Sequence, residues 1–375
     1  MKSQKTVNLI VVILMLAALL ASCAPAPTPT AVAVPPTPVV QYIEVTKIVA
    51  GTPEVQQVVV TATAAPTQPP AKLKVFGAYA TPIEEPWDGV IHTALLKAKA
   101  AGEIEYEFTE NIGYSGDMER VLRETASSKK PDIIFGDGFD NEEAVRRVAA
   151  EFPKIVFVFG SGLGPSNPNL SVFDNWIHEP AYLCGMLAGG MTKTNVIGIV
   201  AAMPVPEVNR LVNAFIAGAK ETNPNAKVLV SFINSWFDPA AAKEAAVAQI
   251  DNKADVLYAE RFGVIEAAKA KGLWAFGNMS DQNSLAPDLV ISSPVWNMDP
   301  TVEYVINQVK GGSFTAMDLK DFSMVAKGGA TLAPFHTTES KIPPDLLKKV
   351  MDKQAAIMSG LFRVDVDEKQ PAPVN

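Results

Sequence analysis

Residues 196–233 read VIGIVAAMPVPEVNRLVNAFIAGAKETNPNAKVLVSFI, and their pattern decides the fold class. An apolar run at 196–201 is followed by an amphipathic stretch at about 206–222 and by a second apolar run at 227–233. Short apolar runs separated by a helical stretch of this length predict a βαβ unit with parallel strands. The region therefore indicates an α/β protein in which helices cover a parallel sheet.

The same alternation extends in both directions and forms two successive series, which predict two α/β lobes. In the first series, strands at 73–79, 104–109, 132–135, 155–159 and 171–173 alternate with helices at about 87–101, 117–128, 141–151 and 179–192. In the second, strands at 196–201, 227–233, 255–259, 273–277 and 289–292 alternate with helices at about 206–222, 239–251, 264–271 and 300–310.

The N-terminus has the layout of a secretory signal. Two lysines precede an apolar run at 7–20, which ends in Leu20-Ala21-Ser22-Cys23. The run is too short for a membrane-spanning helix of roughly 20 residues. Its end resembles a bacterial lipobox, which implies that residues 1–22 are removed and that lipid is attached to Cys23. We expect a protein anchored on the extracytoplasmic face of the cell membrane; the alternative is an ordinary cleaved signal with Cys23 incidental.

Residues 23–71 are rich in Pro, Thr, Ala and Val and predict an extended tether. Two stretches within it, 43–49 and 55–61, alternate loosely between apolar and polar residues and could pair locally as strands. The tether's expected role is to let the folded part leave the membrane surface while it stays attached.

Charge and cysteine content narrow the class of partner. The formal net charge is −8, and loss of Lys2 and Lys5 with the signal makes it −10. This balance argues against a nucleic-acid partner. Once Cys23 is lipidated only Cys184 remains, so we expect no disulfide within the chain. Cys184 lies in an apolar helical stretch, where a small buried core residue is expected and a reactive thiol is the alternative.

Ligands of open α/β sheets bind at the carboxyl ends of the strands, and aromatic or polar residues follow nearly every predicted strand. A tryptophan at such a position either packs between lobes or stacks on a ligand, and both interpretations stay open. The polar neighbours favour a flat ligand that forms hydrogen bonds and is uncharged or cationic, because Arg261 is the only cation in these loops. The candidate ligand-binding residues are Trp87, His92, Asp137, Phe139, Trp236, Asp238, Asp281 and Trp296.

Enzymatic sites are not indicated. The three histidines show no metal-ligand spacing, and there is no Gly-x-Ser-x-Gly motif. The loop Gly160-Ser161-Gly162 follows a strand, but the prolines after it leave no helix N-terminus to hold a phosphate, so it predicts a connector. We expect no catalytic residues, no metal and no cofactor.

An ordered set of motifs over about residues 72–325 resembles the basic membrane protein family of ABC-importer binding lipoproteins, which includes purine nucleoside receptors. These motifs are Trp87-Asp88-Gly89, Gly138-Phe139, Pro204-Val205-Pro206-Glu207, Asn213-Ala214-Phe215, Asn234-Ser235-Trp236-Phe237-Asp238-Pro239 and Ser280-Asp281-Gln282.

The resemblance implies a type I periplasmic-binding fold with two lobes, three crossovers and closure about a hinge. It implies ring stacking on Trp87 and Trp236, a ribose or ring contact at Asp281, and a further wall at Phe139. Nucleoside-binding members carry a lysine where Trp296 stands, and Asn278 replaces the family's first aspartate, so the departures favour a free purine base or another aromatic molecule over a nucleoside.

The expected organisation follows from these patterns. Residues 72–176 with about 297–322 form one lobe, 177–296 with about 323–360 form the other, and 361–375 form a tail. We expect a monomer that captures a purine-like ligand and delivers it to an ABC permease. A receptor that presents its ligand to a membrane sensor, and a purely structural lipoprotein, are the alternatives.

Overall fold

The computed structural model describes residues 39–49, 52–62 and 72–371. The predicted signal and Cys23 lie outside these residues. In the predicted tether, β1 (Val39–Val49) and β2 (Thr52–Ala62) form an antiparallel hairpin in which Val39 is opposite Ala62. This part of the tether therefore forms paired strands rather than a single extended segment. The alternating stretches at 43–49 and 55–61 had left this pairing open as an alternative.

The first lobe is built on a five-stranded parallel sheet with the order β4-β3-β5-β6-β7. β5 and β6 are buried along their whole length, as expected for a parallel sheet with helices on both faces. The strands are β3 (Leu73–Ala78), β4 (Ile104–Thr109), β5 (Ile133–Asp137), β6 (Val156–Gly160) and β7 (Leu170–Phe173), and the helices are α1 (Pro86–Ala100), α2 (Asp117–Ser128) and α3 (Glu142–Glu151).

The second lobe repeats this topology, with the order β12-β11-β10-β8-β9. In both sheets the first strand lies between the second and the third, which is where the strand order reverses and where ligands of such sheets bind. The strands are β8 (Val196–Ala201), β9 (Lys227–Phe232), β10 (Val256–Ala259), β11 (Trp274–Phe276) and β12 (Val290–Ser292), and the helices are α4 (His178–Met191), α5 (Pro206–Thr222), α6 (Pro239–Asp251) and α7 (Val264–Lys271).

The chain passes between the lobes three times. Residues 174–177 form the first crossing, and the other two are β13 (Pro294–Trp296) and β14 (Ala330–Leu332), which pair antiparallel. Between them, α8 (Asp299–Lys310) returns to the first lobe, where Asp299 accepts a 2.6 Å hydrogen bond from Lys97 of α1. After β14 the chain ends on the second lobe with α9 (Pro344–Met358). The predicted two-lobe, three-crossover fold is confirmed.

Local sequence explains where the helices begin and how closely they pack. Helices α1, α5 and α6 each start with a proline, which needs no backbone donor at that position. Helices α4 and α5 approach so closely that a Cβ on Gly218 would lie 1.9 Å from the Tyr182 carbonyl oxygen. Cys184 of α4 is fully buried in this core, as expected.

Within residues 39–49, 52–62 and 72–371, no helix combines the length and apolarity needed to cross a bilayer.

Candidate functional site

A narrow cavity of about 20 Å³ lies where the carboxyl ends of the two sheets face each other, within about 340 Å³ of atom-free space that is partly open to solvent. Both lobes contribute residues that lie at the end of a strand or in the loop or helix start that follows one. The lining consists of Thr81, Glu85, Trp87, Tyr114, Asp137, Phe139 and Ser161 from the first lobe and Glu207, Trp236 and Arg261 from the second.

Trp87 forms one wall of this cavity from the first turn of α1. One face stacks on Phe173 at the end of β7, with ring centroids 5.7 Å apart and planes 19° apart, and Trp296 packs against it at 5.1 Å. The indole is only 8% exposed. Its far edge covers Gly160, where an added Cβ would lie 1.8 Å from the ring. Trp87 is therefore held rigidly, with a limited surface toward the cavity.

Trp236 and Phe139 meet across the cleft between the lobes. Their ring centroids are 4.7 Å apart and their planes are nearly perpendicular, at 79°. The Trp236 Nε1 is buried and finds no acceptor in the described part of the chain. The sequence predicted Trp87 and Trp236 as the two faces of one stacking site. Both line the same cavity, but the ring that Trp236 contacts is Phe139 rather than Trp87.

A buried ion pair also joins the lobes. Arg261, which follows β10, places Nη1 3.0 Å from Glu85 Oε1, and the two side chains are 6% and 3% exposed. Glu260 holds the same guanidinium at 2.5 Å, and the Trp236 carbonyl accepts a further bond from it at 3.0 Å. Burial works against the charge of Arg261, but Glu260 and Glu85 more than offset this and raise its pKa.

Carboxyl groups outnumber cations around the cavity. Burial, followed by the charge of neighbouring Glu85, raises the pKa of Asp88 to about 7, although Thr81 donates two hydrogen bonds to its Oδ2. Burial and Asp88 likewise raise the pKa of Asp137 well above its usual range. Burial, Asp174 and Glu260 raise the pKa of Glu207 to about 8. A hydrogen-bond donor or a cation fits this environment, whereas an anion does not.

Three of the predicted residues with polar side chains have structural partners elsewhere. Asp238 is exposed and caps α6 by accepting a 3.0 Å bond from the Ala241 amide. Asp281 pairs with His336 at 2.7 Å on a half-exposed surface of the second lobe. His92, in the second turn of α1, faces β4, where its Nδ1 lies 2.9 Å from the Tyr106 hydroxyl. All three lie outside the cavity lining.

Trp296 also lies outside the cavity lining and belongs to the hinge. It is 2% exposed, and its Nε1 donates a 3.0 Å hydrogen bond to Ser323 Oγ. Ser323 in turn donates to the Asp174 carbonyl at 2.7 Å, so the bond connects β13 to the first crossing. Trp296 is therefore a packing residue between the crossings.

Several lining residues were not predicted from the sequence, although some of them lie at strand ends, where binding residues are expected. Ser161 directly follows β6, yet its loop was interpreted as a connector. Glu207 and Arg261 were noted as strand-end residues without a binding role. The role of Glu85 could not be predicted because its partner, Arg261, lies on the other lobe. Tyr114 lies in an irregular loop whose sequence has no pattern that predicts a binding residue. In the part of the chain that the structure describes, no group of His, Cys, Asp or Glu is arranged to hold a metal ion.

Comparison with known proteins agrees with this architecture. The family model described as ABC transporter substrate-binding protein, PnrA-like, matches residues 81–332. A purine-binding protein of Brucella abortus is 30% identical over 263 residues, which cover 69% of this chain and 72% of that protein. A Haloferax volcanii protein named as an ABC transporter glucose-binding protein is 35% identical over 215 residues, 57% of this chain. The match to the Haloferax volcanii protein spans only 54% of that protein's own length.

A solved structure supports the fold independently. The ABC transporter solute-binding protein of Conexibacter woesei superimposes with a TM-score of 0.65 at 23% identity, and the match covers 78% of this chain and 99% of that one. At this identity the likeness concerns the fold alone.

Proposed function

The chain belongs to the PnrA-like family of ABC transporter substrate-binding proteins, and we propose that it captures a purine base or a nucleoside-like ligand in the cavity between its lobes. This family consists of solute-binding proteins rather than enzymes. Closure moves residues 72–176 with about 297–322 against residues 177–296 with about 323–360, and the closed form is the one that the permease recognises.

The observation that carries this proposal is the combination of aromatic rings and carboxyl groups around one cavity. Trp87, Phe139 and Trp236 offer ring faces and edges, and Asp137 and Glu207 stand among them. Stacking of a base on an aromatic ring contributes about 1–3 kcal/mol per base. Carboxyl oxygens accept hydrogen bonds from ring or exocyclic N–H groups. The name of the Brucella abortus relative supports the same ligand class.

A hexose is the second candidate ligand, and the name of the Haloferax volcanii relative favours it. Sugar hydroxyls also donate to carboxylates, and sugar rings can pack on tryptophan. The two ligand classes differ in shape, because a purine is flat and fully aromatic. A purine can lay its whole face against one of the aromatic rings that line the cavity, and this favours the purine.

Delivery requires that the protein stay at the membrane. We propose that lipid on Cys23 anchors it on the extracytoplasmic face, that residues 23–71 tether the folded part, and that a monomer presents the ligand to an ABC permease. A receptor that serves a membrane sensor would use the same cavity. Deletion of the gene should lower cellular purine uptake if the partner is a permease and should leave uptake unchanged if it is a sensor.

The ligand assignment is tested on the purified protein. Small molecules released by denaturation are identified by mass spectrometry, and the melting temperature is measured with adenine, guanine, hypoxanthine, adenosine and D-glucose. Ligand at about 100 times its Kd should stabilise the protein by roughly 2.7 kcal/mol and raise the melting temperature accordingly. A shift with D-glucose and none with any purine or nucleoside would refute the purine proposal and leave the family assignment intact.

A further inference from the structure

We propose that Glu207 determines the ligand specificity of the cavity: its uncommitted carboxyl oxygen accepts a hydrogen bond from an exocyclic amino group, so that the site selects aminopurines over purines that lack this group. The inference rests on the proposed function, which it deepens. It concerns a residue for which the sequence analysis predicted no binding role.

The position of Glu207 is built into the fold. It follows Pro206 in the first turn of α5, directly after the loop that leaves β8, the first strand of the second lobe, which lies between β9 and β10. The side chain is 8% exposed and lines the cavity. Its Oε1 is buried and has no hydrogen-bond partner among the described residues. An unsatisfied buried polar group costs about 1–3 kcal/mol, and a ligand donor would remove this cost.

Several other polar groups of the lining are already engaged. Arg261 is held by Glu85 and Glu260, so its charge is matched within the protein. Asp137 accepts a 2.9 Å bond from the Phe139 amide through Oδ1. Among the buried polar atoms of the lining, two have no partner in the described residues: Glu207 Oε1 and the indole Nε1 of Trp236.

These two groups offer complementary hydrogen-bonding chemistry to a ligand. Trp236 Nε1 can only donate and thus pairs with an unprotonated ring nitrogen, whereas Glu207 Oε1 pairs with an N–H group. Adenine presents both, because its 6-amino group donates and its ring nitrogens accept. Unsubstituted purine lacks the amino donor. Either protonation state of Glu207 keeps an acceptor oxygen, so both the carboxylic acid and the carboxylate can accept from the amino group.

The surroundings of Glu207 also oppose an anionic ligand. Its charged neighbours are two carboxyl groups, Asp174 and Glu260, and two guanidinium groups, Arg210 and Arg261. Both arginines are engaged by other carboxylates: Arg210 by Asp174 and Glu368, and Arg261 by Glu85 and Glu260. A neutral amine donor satisfies Glu207 without adding charge to this cluster.

The test is a double-mutant cycle between protein and ligand. Calorimetry gives the Kd of adenine and of unsubstituted purine for the wild type and for Glu207→Met, which keeps side-chain length but removes the acceptor. We expect the wild type to prefer adenine by at least about tenfold and E207M to lose most of this preference. Glu207→Ala answers the same question if E207M does not fold.

The matched control is Glu179→Met, which removes a partly buried carboxylate of α4 that accepts from the Val325 amide away from the cavity. It should keep the wild-type ratio of adenine to purine affinities. An unchanged ratio in E207M, with purines still bound by the wild type, would overturn the role of Glu207 alone. Failure of the wild type to bind any purine would overturn the proposed function as well.

Discussion

Arg261 and Glu85 form a buried ion pair across the cleft, with Nη1 and Oε1 3.0 Å apart and both side chains at least nine-tenths buried. One residue follows β10 of the second lobe, and the other caps α1 of the first lobe by accepting from the Trp87 amide. The pair thus connects closure of the cleft to the position of the Trp87 wall.

Glu85→Ala should weaken adenine binding by tenfold or more. Removing one partner of a buried pair leaves an incompletely matched charge and costs about 3–5 kcal/mol, which destabilises the closed form specifically. Calorimetry measures the affinity, and small-angle scattering of the adenine-saturated protein measures closure. Lys97→Ala, which breaks the exposed pair with Asp299 inside the first lobe, should change neither. Equal affinities in Glu85→Ala and the wild type would exclude the ion pair as a closure contact.

Trp236→Phe should reduce adenine affinity by about three- to tenfold, because it keeps an aromatic ring but removes the indole N–H that has no partner among the described residues. Trp236→Ala should cost at least about tenfold, because the ring contact is lost too. Trp274→Phe is the control. Trp274 begins β11 and so lies at the amino ends of the second lobe's strands, whereas the cavity lies at their carboxyl ends. An affinity unchanged in Trp236→Ala would remove Trp236 from the site.

Trp87→Ala should also weaken binding by at least about tenfold, but here a loss of stability accompanies it. The ring packs on Phe173 and Trp296 and is 8% exposed, so truncation costs about 3–5 kcal/mol of unfolding free energy. Melting temperature without ligand and calorimetric affinity separate the two effects. A variant with lower stability and wild-type affinity would show that Trp87 is a packing residue only.

The ligand-free protein should become less stable as pH rises from about 5 to 8.5. The pKa of Glu207 is raised in the folded state from 4.5 to about 8, so the folded protein retains a proton that the unfolded chain has released. Such a group stabilises the fold fully below its unfolded pKa, and this contribution is lost as pH rises through the folded value. Asp88, raised to about 7, acts in the same direction.

Glu207→Met isolates this contribution from the repulsion among the protein's other acidic groups. Its melting temperature relative to the wild type should increase by at least about 2 °C between pH 5 and pH 8.5. A difference that stays constant with pH would show that Glu207 does not titrate in this range.

Cys23→Ala should move the protein from the membrane fraction to the soluble fraction of fractionated cells, because the lipid attachment point is lost. Cys184→Ala is the matched control, since Cys184 is buried in the second lobe and unavailable for lipid attachment. The control should remain in the membrane fraction. Retention of Cys23→Ala at the membrane would contradict the lipid anchor.

Sequence periodicity predicted the two sheets well, because their strands and helices carry local signals. The predicted helices at 206–222, 239–251 and 264–271 have the observed bounds. The hinge strands β13 and β14 were missed, because each has three residues and is stabilised by a partner distant in the chain. The hairpin at 39–62 was left as an alternative, since its composition equally suits an extended segment.

The cavity was only partly predictable for a related reason. Strand ends identified Trp87, Asp137, Phe139 and Trp236, because the chain order of strands specifies which loops converge. What a loop residue then contacts depends on the approach of the other lobe. Glu85 and Arg261 have no local feature that predicts their pairing, and nothing in the run around Asp281 indicates that it pairs with His336.

The three crossings have a consequence for how the chain reaches its native state. The first lobe is complete only when α8 packs beside α1 and the Val172 amide bonds the Met317 carbonyl, after all strands of the second sheet have been synthesised. Every contiguous fragment that contains the whole first lobe also contains the second sheet. Contacts between segments so far apart in sequence slow folding. The first lobe therefore cannot be completed before the second sheet has been synthesised, and the two lobes should unfold in a single transition.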